Sequence, residues 1–168
     1  MQRNSLLTMT EKPQLILATE KAHFSAGAEL FMEYIRTLEF DIGFQQYQQE
    51  IEQIQELYSP PKGVLWLVYH QQRFEGCCAV RPFKGAICEL KRTYLRPALH
   101  ARGLGQVLLD KCMSSARGLG YQKMLLDTHS SMLPAIGLYK KNGFKEVEPY
   151  YPNPIENIIY MQVDLRKV

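Results

Sequence analysis

The 168-residue chain has one tryptophan and only four cysteines, Cys77, Cys78, Cys88 and Cys112, two of them adjacent. No Cys-x-x-Cys pair and no His/Cys cluster accompanies them, which excludes zinc-ligand spacing and a disulfide framework. They read as small buried hydrophobes in a reducing compartment. Charge of one sign is also missing. Twenty Lys and Arg against 17 Asp and Glu leave a net +3, without the clustered basic face of a nucleic-acid binder. The longest apolar run, Val64 to Tyr69, is too short to span a bilayer. The first residues, MQRNSLLTMTEKPQ, lack an apolar signal region, which predicts a cytoplasmic protein with no membrane partner. No repeat, low-complexity tract or linker divides the chain, so one domain over 14–168 follows a lead-in over 1–13. A hydrophobic content of 46% with 22% charged residues suits a globular core.

What is present is organised around Ala86 to Gly118. Ile87, Cys88, Thr93, Tyr94 and Leu95 suit a mostly buried strand, which Pro97 ends. After Gly105 the period changes to helical, with Leu104, Val107, Leu108, Cys112, Ser115 and Ala116 on one stripe and stop signals at Gly118 and Gly120. Between them lies a turn with Gly103 and Gly105. A helix start offers unpaired backbone N–H groups and a partial positive charge, glycine lets a ligand approach them, and Arg102 adds a formal charge. The turn therefore points to an anion, although glycine also serves simple tight turns.

Around this centre the pattern predicts a strand over Gln14 to Thr19 and a helix over Ser25 to Leu38. The segment Leu38 to Phe44 breaks that helix. A second one follows, with Phe44, Tyr47, Ile51, Ile54 and Leu57 inward, ended by SPPKG at Ser59 to Gly63. GVLWLVYH reads as a central strand containing a core Trp66, and QQRFEG turns it into CCAVRPF. Beyond the central helix come a strand over Gln122 to Asp127 and a helix capped by Ser130 or Ser131, with Met132, Ala135, Ile136 and Tyr139 inward. Closing strands at 144–147 and 157–164 flank EPYYPNP, the last an exposed strand able to pair between subunits, so that a monomer or a homodimer is expected. The order β–α–α–β–β–β–α–β–α–β–β implies one mixed α/β (α+β) sheet with helices on both faces.

With HARGLG at the turn (His100 to Gly105) and AIGLYKKNGF beyond it, residues 14–165 resemble the GNAT family of N-acetyltransferases. The turn is similar to that family's Gln/Arg-x-x-Gly-x-Gly/Ala, with His100 in first place. Ala135, Leu138, Tyr139, Gly143 and Phe144 match its A-x-x-L-Y-x-x-x-G-F signature, while Met132 replaces a frequent cofactor-contacting asparagine. The resemblance implies a mostly antiparallel sheet of about seven strands with four helices, strands four and five splayed, and acetyl-CoA as donor without a metal. It places the diphosphate on the N–H groups of Arg102, Gly103, Leu104, Gly105 and Gln106. The pantetheine arm falls near Tyr94 and Leu95, where a strand edge pairs with its amides.

Acetyl transfer needs a neutral amine, an oxyanion site and a proton for the departing thiolate. Glu89 stands on strand four where histone-acetylating members of the family carry their glutamate, and burial would raise its pKa into a base's range. The plain alternative is a strand-edge charge paired with Lys91 or Arg92. Tyr139, turned inward by its helix, is the candidate general acid, and a backbone N–H near Tyr94 or Leu95 the oxyanion donor. Phe40, Asp41, Phe44 and the loop Tyr150 to Pro154 bound the acceptor, with Tyr150 and Tyr151 as contacts and Arg81 or Arg92 for a carboxylate. His129 reads as a surface-loop residue, and His23 and His70 join no catalytic pattern. The activity expected is acetylation of a small-molecule, amino-acid or peptide amine in a ternary complex. The alternatives are a non-catalytic acyl-CoA sensor and, disfavoured by an incomplete GxGxxG, a nucleotide-binding domain.

Overall fold

Strand residues that are apolar at every position need cover on both faces, and the fold supplies it. The computed structural model describes residues 11–43 and 46–167. Its strands are β1 (Gln14–Leu17), β2 (Val64–His70), β3 (Arg73–Lys84), β4 (Ile87–Leu95), β5 (Lys123–His129), β6 (Lys145–Val147) and β7 (Ile158–Asp164). They form one sheet in the order β1-β2-β3-β4-β5-β7-β6. All neighbours are antiparallel except β4 and β5, which are parallel. The helices are α1 (Lys21–Thr37), α2 (Tyr47–Glu52), α3 (Ile54–Leu57), α4 (Leu104–Gly118) and α5 (Leu133–Lys141).

Two hydrophobic layers result. On one face Val64, Val68, Cys78, Val80 and Leu90 pack against α4 and α5. On the other, Leu65, Leu67, Cys77 and Ala79 pack against Phe24, Leu30 and Phe31 of α1 and Ile54 of α3. Strand alternation thus sends the adjacent Cys77 and Cys78 into opposite layers, both fully buried. Trp66 is partly buried, donating from Nε1 to Ser115 Oγ at 3.0 Å with Lys111 Nζ 5.1 Å from its ring centre.

Several boundaries differ from the sequence pattern for identifiable reasons. Helix α1 begins four residues early because Glu20 and His23 form a reciprocal capping box, which gives His23 its role. The second helix is interrupted at Gln53 and continues as α3. The β2–β3 turn is only Gln71 and Gln72, both at positive φ, as a two-residue hairpin matching strand twist requires. Neither Ser130 nor Ser131 caps α5, whose N-cap is Met132 without a side-chain bond; Ser131 Oγ instead pairs with His129 Nδ1 at 2.7 Å. Val107 is 39% exposed, and Leu109 and Met113 take the buried positions on α4. The last strand is not an edge: β7 lies between β5 and β6. No described helix is long and apolar enough to cross a membrane.

Candidate active site

At the end of β4 a short 3-10 turn (Pro97–Leu99) reverses the chain toward α4. His100 Nε2 lies 2.7 Å from the Leu95 carbonyl oxygen and ties the turn to the strand. Ala101 and Gly103 then adopt left-handed conformations, at φ 58° and 72°, which fan successive amides outward as in an anion nest. The first amide that finds a helical acceptor is Val107, bonded to Gly103 O at 3.3 Å. Among the described residues no backbone acceptor takes the amides of Arg102, Gly103, Leu104, Gly105 or Gln106. A Cβ on Gly105 would meet only Leu138 Cδ2, at an ordinary 3.5 Å. Packing does not demand glycine there, so its absent side chain serves as room above the helix start. The Gln106 amide group is bonded both ways to Asn142, at 2.8 and 2.9 Å, clamping the start of α4 to the end of α5.

Strands β4 and β5 pair only from Ile87/Lys123 to Glu89/Leu125 and then part. Just beyond, β4 carries a bulge, with Arg92 at φ 57° and the β3–β4 register shifted between Cys77 and Ala79. The extra residue reverses the alternation. Thr93 therefore faces Cys78, at 3.1 Å from its Sγ, and Leu95 joins the α4 layer. Tyr94 joins the α1 layer and donates to Glu33 Oε1 at 2.8 Å. The Arg92 guanidinium is held at 2.6 Å by Glu50, whose other oxygen accepts from Tyr58 at 2.6 Å. The sequence-based role for Arg92, holding a substrate carboxylate, meets a group already engaged by Glu50.

Tyr139 is 6% exposed in the α4/α5 layer, its ring centre 5.6 Å from that of Phe144. Burial pushes its phenol well above the ordinary value, opposed in part by the Thr93 hydroxyl. The group keeps its proton, as a donor must.

Glu89 occupies the opposite face, 3% exposed. Arg81 reaches its Oε1 at 2.9 Å and the Tyr150 hydroxyl donates to Oε2 at 2.7 Å. Its ion-pair partner is thus Arg81 rather than Lys91 or Arg92, which also occupies the second arginine considered for a carboxylate. The expected rise in its pKa is overturned. Burial does push it up, but the charges of Lys91 and Arg81 and the bonds from Tyr150 and Arg81 outweigh it, leaving the carboxyl below its ordinary value. Glu89 is an anion at neutral pH and a weak proton acceptor.

The parting of β4 and β5 leaves a cavity of ≈ 60 Å³ bordered by Tyr34, Phe40, Lys91, Asp127, His129 and Asn153. A second cavity, of ≈ 390 Å³, is bordered by Leu57, Arg81, Phe83, Glu89, Lys91 and Tyr151. Of the sequence-based acceptor contacts, Phe40 stacks on His129 with ring centres 5.2 Å apart. Tyr151 donates to Asp127, while Phe44 lies outside the described residues. His129 ends a strand and borders the first cavity instead of sitting in a loop. Sequence reasoning missed Lys91 and Asp127. The signal for Lys91 was present: Glu89, Lys91 and Arg92 are three charges within a buried strand.

Comparison with known proteins agrees with this geometry. Residues 29–144 match the model of the Acetyltransferase (GNAT) family. An uncharacterized N-acetyltransferase of Schizosaccharomyces pombe is 39% identical over 140 residues, 82% of this chain and 86% of that one. The uncharacterized N-acetyltransferase YjgM of Escherichia coli is 29% identical over 111 residues, 64% of this chain and 66% of that one. Among solved structures, a GNAT-family acetyltransferase from Staphylococcus aureus Mu50 superposes with a TM-score of 0.75 at 18% identity, covering 92% of this chain and 99% of that one. The PaiA N-acetyltransferase from Thermoplasma acidophilum in complex with coenzyme A gives 0.66 at 14% identity, covering 90% and 99%.

Proposed function

Since this chain belongs to the acetyltransferase (GNAT) family and is an acyltransferase, we propose that it moves an acetyl group from acetyl-CoA to a primary amine by direct attack in a ternary complex. The amine belongs to a small molecule, amino acid or peptide. The observation that carries this reading is the row of unclaimed amides from Arg102 to Gln106, with the Tyr139 phenol buried in the layer that α4 and α5 share. The cradle fits a diphosphate: its N–H groups lack acceptors, the helix start is positive, and Gly105 leaves space. The β4 edge facing β5, unpaired with it after Glu89, offers main-chain groups for the pantetheine arm near Tyr94 and Leu95, the Leu95 carbonyl itself being taken by His100. When bound, acetyl-CoA supplies an activated thioester carbonyl. Tyr139 would deliver its proton to the departing sulfur from one face of β4. From the other, Glu89 would act on the incoming ammonium through water, which takes its proton. The non-catalytic sensor considered from the sequence gives way to the enzyme on family membership.

Calorimetry tests the cradle. Gly105→Asp is expected to keep the wild-type melting temperature, because its Cβ meets only Leu138 and an acid suits a first helical turn. Acetyl-CoA affinity should fall about a hundredfold or more, since like charges in contact cost several kcal/mol. Unchanged affinity would reject the site.

A pH profile tests the base. With the Glu89 carboxyl held low, no side chain of this pair titrates near neutrality, and the acid limb of kcat/KM should follow the acceptor's own ammonium group. Replacing an alkylamine, at about 10.4, by an α-amine, at about 8, should move that limb down with it. A limb fixed for both acceptors would mean that an enzyme group, not the amine, sets the protonation step.

A further inference from the structure

The transferase reading leaves Lys91 without a task, and its surroundings ask for one. The residue is 7% exposed, yet no hydrogen bond or ion pair among the described residues ends on its Nζ. Among the described residues no buried side-chain nitrogen or oxygen lacks a partner, so Nζ must open onto cavity space. It borders both cavities of the site. The neighbouring charges are already engaged: Glu89 by Arg81 and Tyr150, Arg92 by Glu50, Asp127 by Tyr151. Burial presses the Lys91 ammonium toward neutrality, while Glu89 and Asp127 pull it back. A buried cation that no acid contacts directly is costly, and an anion bound to it would offset that cost.

Resting on the transferase reading above, we propose that the acceptor is an α-amino acid with an apolar or aromatic side chain, its carboxylate docked on Lys91. Three features fix the parts. The ≈ 60 Å³ cavity, bordered by Asp127, receives the amine. Lys91 borders both this cavity and the ≈ 390 Å³ one, so a carboxylate bound to it lies beside the amine, as on an α-carbon. The larger cavity, walled by Leu57, Pro82, Phe83, Tyr151 and Pro152 together with the mutually paired Arg81 and Glu89, receives the side chain. In the transfer, a C–N bond forms on the acetyl carbon as the C–S bond breaks. The ammonium gives up two protons: one goes to water, and the other, through solvent, restores Tyr139 after the phenol has protonated the departing sulfur. The products are an N-acetyl amino acid and free coenzyme A. Acetylation removes the positive charge beside Asp127, weakening the product's hold and favouring its release.

Thiol release from acetyl-CoA, catalysed by the whole chain, tests this with L-phenylalanine against 2-phenylethylamine, which differ only in the carboxylate. The expected kcat/KM ratio favours phenylalanine by about thirtyfold or more, the value of a buried charge-assisted bond. Lys91→Met should bring the ratio close to one, and Lys91→Arg should restore part of it. Equal turnover of the two wild-type substrates overturns the inference, with no variant needed. So does a Lys91→Met variant that loses both activities alike. Calorimetry with acetyl-CoA alone separates the two levels. Absence of binding overturns the transferase reading itself; binding with no turnover of phenylalanine, leucine or tyrosine overturns only the amino-acid acceptor.

Discussion

Tyr139→Phe is expected to lower kcat by about a hundredfold, within the usual range for removing a positioned proton donor, while acetyl-CoA affinity stays within about threefold. The change deletes one hydroxyl and nothing else. The ring remains against Phe144 in the α4/α5 layer, and the Thr93 hydroxyl keeps Cys78 Sγ at 3.1 Å as a partner. No buried group is orphaned, so the melting temperature should hardly move. Steady-state thiol release at saturating acetyl-CoA, with calorimetry of the same variant, reads the two effects separately. Wild-type kcat would remove Tyr139 from the chemistry. Loss of affinity together with stability would make it a packing residue.

Glu50→Ala should be the most damaging change for the fold. Glu50 is 4% exposed and Arg92 7%; the acid takes both a 2.6 Å bond from Arg92 Nη2 and the Tyr58 hydroxyl at 2.6 Å. Its removal takes the paired carboxylate from a buried guanidinium, a loss of about 3–5 kcal/mol. It also frees a non-glycine residue held at φ 57°, a conformation that persists only when its surroundings impose it. The bulge that turns Thr93 toward Tyr139 and Tyr94 toward Glu33 would then relax, so kcat should fall too. Urea denaturation supplies the measurement, and a midpoint equal to wild type would refute it. The effect has a pH signature. Burial pushes the Glu50 carboxyl up, but Arg92 and Tyr58 outweigh this and hold it below its usual 4.5. A depressed carboxyl stabilises the fold above its unfolded value and loses that contribution as pH falls through the folded one. The gap between wild type and Glu50→Ala should therefore narrow below about pH 4.5.

Periodicity was enough for α4, where Leu104, Leu108, Cys112 and Ala116 are buried as their spacing requires, and for the apolar run that became β2, covered on both faces. Local sequence was enough as well for the glycine turn with its unclaimed amides, because a turn between strand and helix is written in consecutive residues close in the chain. Family membership, too, was legible in two short motifs. What spacing did not carry was the reversal at Arg92. A bulge is a mismatch between two strands, and one strand's sequence holds no record of its partner's register. Nor did it carry the sign of the shift at Glu89, which depends on Arg81 arriving from β3 and Tyr150 from the β6–β7 loop. Local sequence determined the elements and the anion-ready turn, since both rest on short-range geometry. Tertiary structure alone decided which charges neutralise one another and which one, Lys91, is left facing the cavities, because electrostatic balance in a buried site is set by groups distant in sequence and adjacent in space.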